Sequence, residues 1–195
     1  MNQVGKMNKM NKMKIPSLEE CNSIIEEYKV PEHIKSHIAM VRKIANFLAK
    51  KISKTEKEIN LDLVDKGALL HDVMKMYCVE NNCRHTEEAS KVLSQKGFPE
   101  FGKVLEQHGL DEVNQFDAKT LLEAKIVWYA DKRVNHDKLV SLIARYVYLK
   151  NKYGSESDKK MKQIISTEEN AKKIEKEIFE LAGLKRDILE DDLNG

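Results

Sequence analysis

Ile34, Ile38, Val41, Ala45 and Leu48 follow one another at steps of three and four residues, the rhythm of a helix that buries one face and wets the other. The same rhythm recurs along the chain. No stretch shows the strict alternation of apolar and polar residues that a half-buried strand needs. Only three prolines and eight glycines interrupt 195 residues. A chain patterned this way must bury its apolar stripes against other helices, so the expected fold is all-α, a helical bundle.

Local signals divide the chain. Ser17 and Glu20 have the spacing of a capping box and open a first helix that ends near Tyr28. Pro31 suits the first position of a second helix. Asn60 is a plausible N-cap for a third, "INLDLVDKGALLHD", in which Gly67 permits close approach of a neighbour. A loop is expected from Tyr77 to Arg84, then a fourth helix from Thr86 to Lys96, stopped by "GFP". A short fifth, "EFGKVLEQH", and the polar link "DEVNQFDAKT" precede a sixth, "LLEAKIVWYADKRV". A seventh helix covers His136 to Lys152. A long last helix runs from Ser157 to Leu184, with Ile164, Ile165, Ile174, Ile178 and Leu181 facing inward. The organisation expected is a disordered basic extension over residues 1–16, a helical domain over 17–155, and a C-terminal helix with an acidic, frayed tail over 156–195, packed on the same domain.

Charged residues make up 34% of the chain, yet 34 basic and 32 acidic side chains leave a formal net charge of +2. This balance gives no one-sided field for a long nucleic acid, though it leaves room for a small basic pocket. No apolar run approaches the ~20 residues that span a bilayer. The start, "MNQVGKMNKMNKMK", has lysines but no apolar stretch behind them, so it does not read as a secretory signal. Cys21, Cys78 and Cys83 are odd in number and form no C-x-x-C pair. Neither a disulfide framework nor a cysteine zinc site is expected, a reducing cytoplasm fits best, and Cys78 and Cys83, which flank "VENN", are read as incidental.

The polar residues on the apolar stripes carry the chemistry. His37 lies three after Ile34 and four before Val41. His71 lies three after Ala68, and Asp72 follows it. His85 precedes Ala89 by four, His108 follows Val104 by four, and Asp131 follows Val127 by four. Taken singly, a histidine in such a place is more often a hydrogen-bonded core residue than a ligand, and His33 and His136 are read that way. Together they differ, because five helices each bring an ionisable group inward. A buried charge is costly unless it is paired or bound to metal. Imidazoles and carboxylates without cysteine suit Fe, Mn, Zn, Ni or Co better than a closed structural zinc site. His71 and Asp72 point about 100° apart on a helix, so both reach one ion only at a helix end or a distorted turn.

The pattern of His37 in "IKSHIAMVRKIA", His71-Asp72 in "ALLHDVMK" and Asp131 in "YADKRV" resembles the HD-domain metal-dependent phosphohydrolases, helical bundles in which these residues hold a metal. The resemblance covers about residues 30–153. With His85 in "RHTEEASKVL" and His108 in "KVLEQHGL", the arrangement is similar to that of binuclear members. It implies His37, His71, Asp72 and Asp131 on one ion, and Asp72, His85 and His108 on a second, with Asp72 bridging. It also implies hydrolysis of a phosphate ester, of a nucleotide or similar small molecule, by metal-activated water. Asp72 and Lys75 would be catalytic, and Lys75, Lys132 and Arg133 would meet substrate phosphate. The Gly-Tyr-Pro signature of the cyclic-di-GMP phosphodiesterase branch is missing, and "GLDE" follows His108 where the diadenosine tetraphosphate hydrolase branch has His-Thr. A di-iron oxygenase of the same superfamily and a non-catalytic nucleotide-binding or partner-binding sensor are the alternatives. The long charged last helix leaves a homodimer open.

Overall fold

The computed structural model describes residues 13–185, 187–188 and 190–193. Helix α1 (Leu18–Glu27) starts at a complete capping box: Ser17 Oγ accepts from the Glu20 amide, and the Glu20 carboxylate accepts from the Ser17 amide at 2.7 Å. Pro31 is the N-cap of α2 (Glu32–Ile52) rather than its first residue. Asn60 caps α3 (Leu61–Leu70) by accepting from the Leu63 amide at 3.0 Å. There follow α4 (Lys75–Asn81), α5 (His85–Gln95), α6 (Pro99–Glu106), a 3-10 turn (Leu110–Gln115) and α7 (Leu122–Lys132). A two-stranded antiparallel hairpin, β1 (Val134–Asn135) with β2 (Lys138–Leu139), leads to α8 (Leu142–Lys152) and the long α9 (Asp158–Ala182). No helix among the described residues is long and apolar enough to cross a membrane.

The buried apolar side chains form two clusters. One joins Cys21 and Ile24 of α1, Ile34 and Ile38 of α2, Leu93 of α5 and Phe101 of α6. The other joins Val41, Ile44 and Leu48 of α2, Trp128 of α7, Tyr146 of α8 and Ile178 of α9. Helices α2, α3 and α7 contribute to both clusters and form the central layer. A bidentate pair, Arg42 to Asp65 at 2.6 and 2.8 Å with Asn46 adding 2.6 Å, ties α2 to α3. At the α5–α6 contact, a Cβ on Gly102 would stand 2.7 Å from the Ser90 carbonyl oxygen, so only glycine allows this approach.

Several expectations give way. The loop expected from Tyr77 to Arg84 contains α4, which closes on Asn82 in the left-handed region at φ 50°. That turn brings the Cys78 and Cys83 Cα atoms to 4.6 Å, and the two are joined in a disulfide. The cysteines are therefore not all incidental, and their usage no longer supports a reducing compartment. His136 belongs to the hairpin turn, at φ 58°, and not to a helix. On α9, Ile164, Ile174 and Ile178 are buried, but Ile165 is 51% exposed, because it sits one residue off the stripe. The acidic end forms a 3-10 turn (Glu190–Leu193) whose Leu193 is buried, as is Ile188 before it. Of the extension expected over 1–16, residues 1–12 lie outside those described, while Met13 and Ile15 pack against the α1–α6 cluster.

Two outcomes follow for stability. Gly102→Ala should cost about 1–3 kcal/mol by overpacking, read as a lower midpoint in urea. Burial pushes the Asp65 carboxyl up, but Arg42 and Asn46 outweigh it and hold it at about 2. A depressed folded-state pKa contributes stability that is full above the unfolded value near pH 4 and is lost as pH falls toward 2. Asp65→Asn should therefore cost about 2 kcal/mol at pH 7. The gap from the parent should shrink in urea titrations run from pH 5 to pH 3.

Candidate metal centre

Five elements bring their polar residues to the seam between the clusters. His37 comes from the middle of α2 and Asp131 from the last turn of α7. Helix α3 stops at Leu70, so His71 and Asp72 occupy a turn before α4 starts at Lys75. That break lets two adjacent side chains face one point. His85 opens α5, and His108 lies two residues past α6.

The imidazoles are oriented from behind. His37 Nδ1 donates to the His136 carbonyl at 2.7 Å, His71 Nδ1 to Ala68 at 2.8 Å, and His108 Nδ1 to Leu105 at 2.6 Å. A carbonyl only accepts, so each Nδ1 carries a proton and each Nε2 faces inward, with a lone pair at His71, which stays neutral. His37 Nε2 lies 3.0 Å from Asp131 Oδ1 and 3.5 Å from Asp72 Oδ2. His71 Nε2 lies 3.6 Å from Asp72 Oδ2 and 3.8 Å from Asp131 Oδ1, fully buried and without a hydrogen-bond partner. His85 and His108 face each other Nε2 to Nε2 at 3.0 Å, and stand 3.4 and 3.7 Å from the other oxygen of Asp72, Oδ1.

These residues form a donor set that could hold a cation. Lone pairs and carboxylate oxygens repel unless a positive charge lies between them. Donors about 2.0–2.2 Å from one ion stand roughly 3–3.5 Å apart, close to the spacings here. The donor atoms fall into two groups, His37, His71, Asp72 and Asp131, and Asp72, His85 and His108, with all atoms of each group within 4.8 Å of one another. Asp72 gives one oxygen to each group.

The field around the donors agrees. Burial pushes the His71 imidazole down to about 4, and burial with the neighbouring His108 does the same to His85, so both stay neutral and able to ligate. Burial acts on His37 too, but the Asp131 hydrogen bond and the Asp131 and Asp72 charges outweigh it and raise its affinity for a proton, as they would for another cation. Asp72 and Asp131 lie well below the usual carboxylate range: burial opposes this, but Lys75 prevails at Asp72, and Lys132 and His37 at Asp131.

A cavity of about 330 Å³ opens in front of Asp72, His85 and His108. Lys75, 39% exposed, lines it and donates to Asp72 Oδ2 at 2.6 Å. Lys132 lines it as well, with its ammonium on Asp131 and 3.3 Å from the His108 carbonyl oxygen. Arg133, expected to meet phosphate, does not reach it. Its guanidinium is fully buried on the other side of α7, bonded to the Val140 carbonyl at 2.7 Å and the Tyr129 hydroxyl at 2.5 Å, and paired with Asp187 at 2.7 Å. Arg145 and Lys160, which the sequence reading passes over, line the cavity instead. Their only sequence signal is a base on an amphipathic helix, which ordinarily marks a solvated face.

The family model of the HD domain matches residues 34–136, slightly more than half of the chain. The chain belongs to the HD domain family, which marks a superfamily of metal-dependent hydrolases. Searches of curated proteins and of solved structures gave no significant match.

If the orphaned His71 Nε2 is a ligand, a divalent metal added to chelator-treated protein should raise Tm by several degrees through linkage. In His71→Ala most of that rise should vanish, read by thermal scans with and without metal. A rise of the same size would remove His71 from the donor set.

Proposed function

We propose that the chain is a phosphohydrolase that holds two divalent ions and cleaves a phosphate ester of a nucleotide or similar small molecule. The observation that carries this reading is the division of Asp72, with Oδ2 among His37 and His71 and Oδ1 among His85 and His108. Two ions, if bound, would be held by His37, His71, Asp72 and Asp131 and by Asp72, His85 and His108, with Asp72 common to both groups. Divalent ions of the Fe, Mn, Zn, Ni or Co type would supply a water nucleophile at neutral pH and neutralise phosphate oxygens.

The protein side chains do the rest. In hydrolysis the water oxygen bonds to phosphorus, the ester P–O bond breaks, and the leaving oxygen takes a proton. Lys75 has the reach to donate to a phosphate oxygen from the cavity wall. Burial lowers its proton affinity, but Asp72 and Asp131 outweigh this and raise it, so Lys75 acts as an ammonium and not as a base. Lys132, buried on Asp131, offers a second positive group beside the same cavity. Their charges favour an anionic substrate, and for that reason hydrolysis is preferred over the oxygenase chemistry that the same donors could support.

Elemental analysis should find about two ions per chain in the parent and about one in His85→Ala. Metal-loaded protein should release phosphate from members of a broad ester panel. Asp72→Asn should lower that rate by at least about a hundredfold, since even outer partners of a ligand cost 10–100-fold. Two bound ions with no ester cleaved would turn the reading toward a sensor.

A further inference from the structure

We infer that the wall facing Asp72, built by Arg145 and Lys160, is a second anion subsite, so that the preferred substrate carries a second phosphate besides the one cleaved. This rests on the phosphohydrolase reading of the metal face.

The cavity has two chemically different sides. On one stand Asp72, His85, His108 and Asp131. On the other stand Arg145 from α8 and Lys160 and Gln163 from α9. Both carboxylates that line the cavity, Asp72 and Asp131, belong to the metal centre, so the bases of the far wall have no acidic counterpart inside it. Arg145 is half-buried and held in place. Its Nη1 donates to Asn135 Oδ1 at 3.1 Å, and the guanidinium lies over the Tyr148 ring at 5.6 Å. Its Nε is buried without a hydrogen-bond partner. A planar guanidinium fixed at one edge, with donors left over, is suited to a tetrahedral anion. Lys160 pairs with Glu156, but both are half-exposed, a pairing that contributes little and is readily exchanged for a doubly charged phosphate.

At about 330 Å³ the cavity sits near the lower end of small-molecule sites, ~300–1,000 Å³. That favours a compact bisphosphate over a dinucleotide. The family match ends at residue 136, while Arg145 and Lys160 lie beyond it. The subsite is thus built from this chain's own C-terminal helices.

The test compares pairs of esters that differ by one anion: fructose bisphosphate against fructose monophosphate, adenosine bisphosphate against adenosine monophosphate, and phosphoglycerate against glycerol phosphate. The parent should favour each bisphosphate by about tenfold or more in kcat/KM, the size of one charge-assisted bond. In Arg145→Gln, and separately in Lys160→Gln, that ratio should fall toward one. A preference seen only with phosphoglycerate would assign the subsite to a carboxylate and overturn the second phosphate. Equal rates for each pair in the parent, or an unchanged ratio in both variants, would overturn the subsite. Calorimetry of the metal-loaded protein with inorganic pyrophosphate and with phosphate separates the two levels. Tighter pyrophosphate binding that weakens in both variants, with no ester hydrolysed, keeps the subsite and discards the hydrolase.

Discussion

A backbone carbonyl can only accept a hydrogen bond, and His136, Ala68 and Leu105 each present one to the Nδ1 of a buried imidazole. This fixes the tautomer of His37, His71 and His108 before any ligand arrives. A proton is held at the back of each ring, and each Nε2 is turned toward the Asp72 and Asp131 carboxylates. The result is a cluster of donor atoms inside a low-dielectric bundle, with Lys75 and Lys132 on the outer side of its two carboxylates.

The bundle tolerates such a donor set because of where it lies. Helices α2, α3 and α7 serve both apolar clusters, and the polar groups sit where those clusters meet. His37 and Asp131 sit on helices that serve both clusters, and His71 and Asp72 follow directly on a third, while His85 and His108 come from α5 and the end of α6, which pack in the first cluster alone. The α3–α4 break is one irregularity on which the site depends, beside the left-handed turn at His136. The break gives up helical continuity at residues 71–74 so that His71 and Asp72 can face the same point.

Much of this is legible in the sequence, for a physical reason. Helical period ties each histidine to the apolar face of its own helix, so the inward direction of His37, His108 and Asp131 can be read locally. What cannot be read locally depends on distant partners. The carbonyl that orients His37 lies 99 residues away, in a turn whose left-handed residue is His136. Arg133 is two residues from Asp131, which makes it look near the site. Two residues on a helix are about 200° of rotation, and it points to the far side. Arg145 and Lys160 reach the cavity only because α8 and α9 fold back over it. The pairing of Cys78 with Cys83 depends on the left-handed turn at Asn82, which an odd cysteine count does not disclose.

The buried guanidinium of Arg133 has a consequence for the far end of the chain. It is held by Tyr129 and Val140 from the body of the bundle and by Asp187 from the segment after α9. A buried guanidinium depends on its anionic partners, so Asp187, with Glu175 of α9 at 3.9 Å, acts as a latch. Arg133 lies two residues along the backbone from Asp131. Whatever pulls the segment of Asp187 and Ile188 off the bundle leaves the guanidinium with Glu175 as its remaining carboxylate, beside the end of α7 that carries Asp131, which couples the seating of the chain's end to the alignment of the candidate centre.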